Sequence, residues 1–96
     1  MDGIYRAIAD PARRAIVEEL TQRNDQTLYE LCTRLMVRGF TMSRQAVAKH
    51  LAVLAEAGAV RITTRGRTTV HHLDPGPLDA VRAWLATLAE PDGRKS

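Results

Sequence analysis

Apolar residues recur along this chain at three- and four-residue intervals and switch to alternation only once. That pattern predicts helices interrupted by a single hairpin. Ile4 and Ile8 lie on one side of a short first helix, residues 3–9. Asp10-Pro11 then resets the chain. The aspartate can cap a helix and the proline sits where a missing N–H costs nothing, so a second helix starts here. Its apolar positions are Ile16, Val17 and Leu20, and polar residues 21–25 end it. A third helix from about Thr27 carries Leu28, Leu31, Leu35 and Met36, with Gly39 as its stop.

Ser43 is a good cap for a fourth helix, residues 43–58, in which Val47, Leu51 and Leu54 run i, i+4, i+7 and Gly58 closes the last turn. Beyond it the period changes. VRITT (60–64) and TTVHHL (68–73) are β-branched and alternating, and Gly66 in the RGR between them signals a hairpin. DPGP (74–77) ends that hairpin. A last helix, 77–90, follows with Leu78, Val81, Leu85 and Leu88 in one stripe, and residues 91–96 are expected to be a frayed tail. With no repeat, low-complexity tract or linker, the reading is a single domain, 1–96. It is mainly α, an α+β chain in the order α-α-α-α-β-β-α.

Aromatics are few, Tyr5, Tyr29, Phe40 and Trp84, so the core must come from Leu, Val, Ile and Ala. No apolar run approaches the roughly 20 residues that span a bilayer, and the first residues lack a signal peptide's layout. A single cysteine, Cys32, rules out an internal disulfide and fits a reducing compartment. The expectation is a cytoplasmic protein with no membrane contact.

The net charge of +3 is unevenly spread. Between Leu31 and Leu73 stand Arg34, Arg38, Arg44, Lys49, Arg61, Arg65 and Arg67 against one acid, Glu56, a local +6, while the remainder is net acidic. Such a segment suits an acidic partner, although a solvated basic face would look the same.

The order of elements narrows the choice. Two consecutive helices joined by a turn can form a helix-turn-helix, whose second helix offers its N-terminal half to the DNA major groove. Here Val47, Leu51 and Leu54 would hold that helix down while Ser43, Arg44, Gln45, Ala48 and Lys49 face the duplex. Arg can bond guanine O6 and N7, and Gln adenine N6 and N7, while Lys49 suits a phosphate and Ala48 permits close approach. His50 is expected to be half-buried beside the hairpin rather than on a phosphate. The hairpin, 61–72, brings Arg61, Arg65, Arg67 and Thr68 on or near a tight turn, a wing for the backbone or the minor groove. The competing reading is an amphipathic helix whose polar face is merely wet.

AIADPARRAIVEEL, YELCTRL, SRQAVAKHLAVLAEAGAV and RGRTTVHHLDPGPL together resemble the ArsR/SmtB-type winged helix-turn-helix transcriptional regulators, over about Ile4 to Leu88. The resemblance implies a homodimer built from the first and last helices, binding an inverted-repeat operator in double-stranded DNA and usually repressing. Ile4 and Ile8, with Leu78, Val81, Trp84, Leu85 and Leu88, are then the candidate dimer contacts. The stripe on the last helix supports this independently. Packing within one chain is the alternative, and the dimer is favoured because a single module reads too few base pairs for useful specificity.

Two departures from the family pattern matter. Many relatives bind metals through a cysteine pair resembling ELCxC, but ELCTR keeps only Cys32. The last helix lacks the histidines of other metal sites, and adjacent His71 and His72 point to opposite faces of a strand. Neither a metal nor any other cofactor is expected, and Cys32 reads as a small core residue. Secondly, the stretch from Glu30 to Ser43 is several residues longer than usual in the family. Either the third helix gains a turn or the connection is long with Phe40 and Met42 tucked beneath it, which leaves the role of Arg38 open. No nucleophile motif or phosphate-binding loop supports an enzyme; His72 and Asp74, the nearest approach to one, read as a cap and a turn. A winged helix for protein–protein contact, or a redox- or ligand-responsive regulator using Cys32, are the alternatives. The sequence does not identify an effector.

Overall fold

A computed structural model describes residues 2–89. The expected tail and Glu90 lie outside the described residues, and the last helix, expected to reach Glu90, ends sooner, at Ala86, with Leu88 beyond it. Five helices and a small antiparallel sheet follow one another as α1 (Asp2–Ala7), α2 (Pro11–Gln22), β1 (Gln26–Thr27), α3 (Leu28–Val37), α4 (Arg44–Glu56), β2 (Val60–Arg65), β3 (Thr68–Leu73) and α5 (Gly76–Ala86). None of these helices is long and apolar enough to cross a membrane.

Local chemistry sets the helix boundaries. The Asp10 carboxylate accepts from the Arg13 N–H at 3.1 Å with Pro11 in the first turn of α2. Thr27 and Glu30 form a reciprocal capping box at the start of α3. Ser43 caps α4 through the Ala46 N–H at 3.1 Å. At the end of α3, Phe40 N–H reaches the Leu35 carbonyl and Gly39 N–H the Met36 carbonyl, both at 3.0 Å, with Gly39 at φ +96°. Those two bonds satisfy carbonyls the helix would leave orphaned. The extra residues before Ser43 therefore lie in the connecting turn, where Phe40 and Met42 pack half-buried on the core.

The core is formed chiefly by Ile16 and Leu20 of α2, Leu31 and Leu35 of α3, and Val47, Leu51 and Leu54 of α4. Each fully buried Leu, Ile or Val is worth about 1.5–3 kcal/mol of transfer free energy, so three helices contributing seven such residues hold the domain together. Two apolar expectations are corrected. Met36 is exposed, because it falls one position past the Leu31–Leu35 stripe. Ile4, expected at a dimer surface, is only 4% exposed and belongs to the protomer's own core.

The sheet has the order β1-β3-β2, so the hairpin is joined by a third strand absent from the expected order. β1 pairs Gln26 with His71 and Thr27 with Val70. Two residues carry no alternation to detect, and the pairing is fixed instead by buried groups. Gln26 donates to the carbonyls of Glu19 and Arg23 at 3.1 and 2.6 Å, and a His71 ring nitrogen lies 3.1 Å from the Gln26 carbonyl. On the opposite strand face, His72 meets Asp25 at 2.5 Å and Thr63 at 2.8 Å. The carboxylate partner of His72 is thus Asp25, while Asp74 accepts from the Gly76 N–H and shapes the turn into α5. Asn24 accepts from the Leu73 N–H at 2.8 Å and adds a second tie between the α2–β1 connection and the root of the wing.

Candidate nucleic-acid interface

The two sides of α4 differ in burial. Val47, Leu51 and Leu54 are buried, whereas Ser43, Arg44, Gln45, Ala48 and Lys49 are exposed. A 3.6-residue period places Gln45, Ala48 and Lys49 on the outer face, with Arg44 at its edge and Ser43 at the capped start of the helix. The helix has no acidic residue in its first turn, and Arg44 stands there instead. A cation near the positive end of a helix dipole is unfavourable for the helix itself. Arg44 therefore gains α4 nothing through the helix dipole.

The wing turns at Gly66-Arg67, with Arg65 and Thr68 as the closing pair. Gly66 has φ +65° and Arg67 does not share the left-handed conformation, the pattern of a two-residue hairpin turn with glycine first. Arg65, Arg67 and Thr68 thus stand at the tip. Arg61 does not: it pairs with His72 near the root of the hairpin.

Two adjacent hollows connect helix and wing. One lies over Leu28, Arg44, Gln45 and Ala48. The other, an open cleft of about 440 Å³, is lined by Thr27, Leu28, Tyr29, Arg44, Arg67, Thr68 and Thr69. Leu28 and Arg44 belong to both, so the start of α4, the first turn of α3 and the wing form one continuous surface. Tyr29 was not singled out from the sequence. It is 72% exposed, and the available signal was an aromatic out of phase with the Leu28–Leu31–Leu35 stripe of its own helix.

Ion pairing sorts the basic segment into two groups. Arg34 meets Glu19 at 3.3 Å, and Arg38 meets Glu19 at 3.2 Å and Glu18 at 2.5 Å while donating to the Ala15 carbonyl at 3.2 Å. These two arginines staple α3 to α2. No carboxylate of the described residues pairs with Arg44, Lys49, Arg61, Arg65 or Arg67. The unpaired cations are those of α4 and the wing.

Comparison with known proteins decides what such a surface belongs to. A helix-turn-helix domain family model matches residues 8–63, more than half of the chain. The uncharacterized HTH-type transcriptional regulator YuzN of Bacillus subtilis is 41% identical over 86 residues, covering 88% of this chain and 94% of that protein. The arsenical resistance operon repressor of Escherichia coli is 26% identical over 87 residues, covering 91% of this chain and 67% of the repressor. The crystal structure of the ArsR family transcriptional regulator RHA00566 superposes with a TM-score of 0.74 at 34% identity, covering 88% of this chain and 81% of that one. The chain belongs to the ArsR family of winged helix-turn-helix transcriptional regulators. Its relatives are regulators rather than enzymes, and the family carries the DNA-binding domain seen here.

In this ArsR-family chain Cys32 is half-buried against Leu35, Phe40, Met42 and Val47. Burial pushes its thiol above the ordinary 9.0, against the opposing pull of Arg44. A thiol held protonated is a weak nucleophile and a weak metal ligand. His50 is half-buried as expected, but its neighbours differ from the hairpin anticipated above. Its Nδ1 accepts from an Arg13 Nη at 3.2 Å and lies 3.9 Å from Asp10. Arg13 also donates to the Ala7 carbonyl at 2.6 Å, so this group fastens α4 to the α1–α2 junction.

The last helix of the regulator buries none of its residues. Leu78 and Val81 are half-buried against the core, as is Ile8. Trp84, Leu85 and Leu88 remain 49%, 53% and 56% exposed. Tyr5 of α1 meets the Trp84 ring edge-on, with centroids 5.8 Å apart, which ties α1 and α5 into one partly apolar surface.

Proposed function

We propose that this regulator is a homodimeric repressor of an inverted-repeat operator. Residues 43–58 enter the major groove, and the wing, 61–72, follows the backbone or the minor groove. The observation that carries the reading is the face of α4, where Arg44, Gln45 and Lys49 project without internal partners beside an equally unpaired wing tip. Arg44 and Gln45 are the base readers, each bidentate contact being worth about 1–3 kcal/mol of discrimination. Ser43 and Thr68 suit flanking phosphates, as do Lys49, Arg65 and Arg67. Arg61, at the root of the wing, is an outlying backbone contact.

A single module reads few base pairs, and the exposed apolar residues at the end of α5, with Leu88 just beyond it, offer the means of doubling it. Pairing Trp84, Leu85 and Leu88 with those of a second copy, flanked by Ile8, Leu78 and Val81, sets two recognition helices about 34 Å apart, one turn of DNA. Repression follows the name of the Escherichia coli relative, whose own operon is arsenical resistance. A winged helix devoted to protein contact would instead present apolar residues on the outer face of α4. Leu85→Asp is expected to shift the protein to monomer in sedimentation velocity and to lower affinity for its upstream DNA at least tenfold. A monomeric Leu85→Asp protein with wild-type affinity would eliminate the dimer.

A further inference from the structure

Apart from Leu28 and the capping Thr27, the cleft between wing and α3 is lined by side chains that can donate to anions. Arg67 and Arg44 bring two guanidinium groups, Tyr29 a phenol, and Thr68 and Thr69 two hydroxyls, and no carboxylate lines it. The Tyr29 hydroxyl bonds to no described residue, and with 72% of the residue exposed it lends little to the core. Its backbone, by contrast, is firmly held. The Thr27–Glu30 capping box fixes the first turn of α3, Thr33 Oγ1 donates to the Tyr29 carbonyl at 3.1 Å, and the Glu19 staples fix the far end of the helix. The opposite wall is anchored separately, through His72 to Asp25 and Leu73 to Asn24. An idle donor on a rigid turn, facing unpaired arginines across an open cleft, is arranged to receive a tetrahedral oxyanion.

We propose that this cleft seats one backbone phosphate of the bound duplex, with the Tyr29 hydroxyl donating to a non-bridging oxygen and Arg67 supplying the charge. The inference rests on the DNA-binding reading of α4. Position favours a phosphate over a base edge, because Gln45 and Ala48 line the neighbouring hollow and not this cleft. A phosphate at the lip of the major groove lies beside the bases that α4 reads. Tyr29 is therefore a positioning residue: it sets the depth and register of α4 without carrying sequence information.

The test is fluorescence anisotropy with the protein's upstream duplex and a scrambled duplex across a salt series, using wild type, Tyr29→Phe, Arg67→Ala and the double variant. Tyr29→Phe is expected to weaken both duplexes by the same factor, about five- to tenfold. Its salt slope should equal that of wild type, because a hydroxyl releases no counterion. Arg67→Ala should lower that slope by about one. Because both groups serve one phosphate, the double variant should lose less than the product of the single losses. Wild-type affinity in Tyr29→Phe overturns the proposal and leaves the α4 reading standing; so does a loss confined to the upstream duplex, or strict multiplication in the double variant. Failure of wild type to bind either duplex overturns both. Unchanged thermal unfolding of Tyr29→Phe is the accompanying control for folding.

Discussion

Arg34 and Arg38 come from the same basic stretch of chain as Arg44 and Arg67, and their side chains have the same chemistry, yet the two pairs have opposite fates. At the end of α3 the guanidinium groups of Arg34 and of Arg38, the residue that caps the helix, converge on Glu19, a residue only 7% exposed, and on Glu18 beside it. Around α4 and the wing tip no described carboxylate answers the cations. A local charge of +6 is thus not a surface of that charge. The acids that neutralise part of it arrive from α2, outside the basic segment, and only the fold brings them there. What remains unneutralised is the part that can steer and hold a polyanion.

Mutation can break this contrast from either side. The largest effect on DNA is expected from Arg44→Ala, about 1–3 kcal/mol on the upstream site with relaxed preference over a scrambled duplex. Arg38→Ala, measured alongside by anisotropy, should leave that preference intact. Equal losses of specific and random binding in Arg44→Ala would remove its base-reading role. The staple answers to a different measurement. Glu19→Ala should lower stability in urea by about 1–3 kcal/mol, since it leaves two partly covered guanidinium groups short of an acceptor. Its preference for upstream over scrambled DNA should be unchanged. A Glu19→Ala protein as stable as wild type would mean that the staple is ornamental.

Acid gives the smallest of the three effects and needs no change to the DNA face. Burial, with His72 nearby, holds His71 below its ordinary 6.5 despite its bond with the Gln26 carbonyl. The folded state therefore resists a proton that the unfolded chain accepts. Stability is whole above about pH 6.5 and declines as pH falls beneath it. The urea midpoint should drop between pH 7.5 and 5.5, and less so in His71→Gln; an equal drop in both would assign the pH dependence to other groups.

The helices and the wing were legible because each has a period and a boundary residue: Asp10, Thr27 and Ser43 begin helices, and Gly39, Gly58 and Gly66 end or turn elements. The exposed face of α4 was legible for the same reason, since a buried stripe at i, i+4, i+7 leaves Gln45, Ala48 and Lys49 on the other side with Arg44 at its edge. What escaped depends on partners distant in sequence. β1 is two residues long and exists because Gln26 and Thr27 meet β3 some 45 residues away. His50 turned to Arg13 and not to the hairpin, and Ile4 was absorbed by a core whose other walls lie in α2 and α4. Tyr29 is one more aromatic in the sequence, and only the fold sets it beside the wing across a cleft.

The account stands most directly on how wild-type protein binds its own upstream DNA and a scrambled duplex, by fluorescence anisotropy from low to physiological salt. It predicts tighter binding to the upstream duplex at every salt concentration, with a steep loss of affinity as salt rises. Absence of binding to both duplexes at low salt would contradict it, and the unpaired cations of α4 and the wing would then require a different partner.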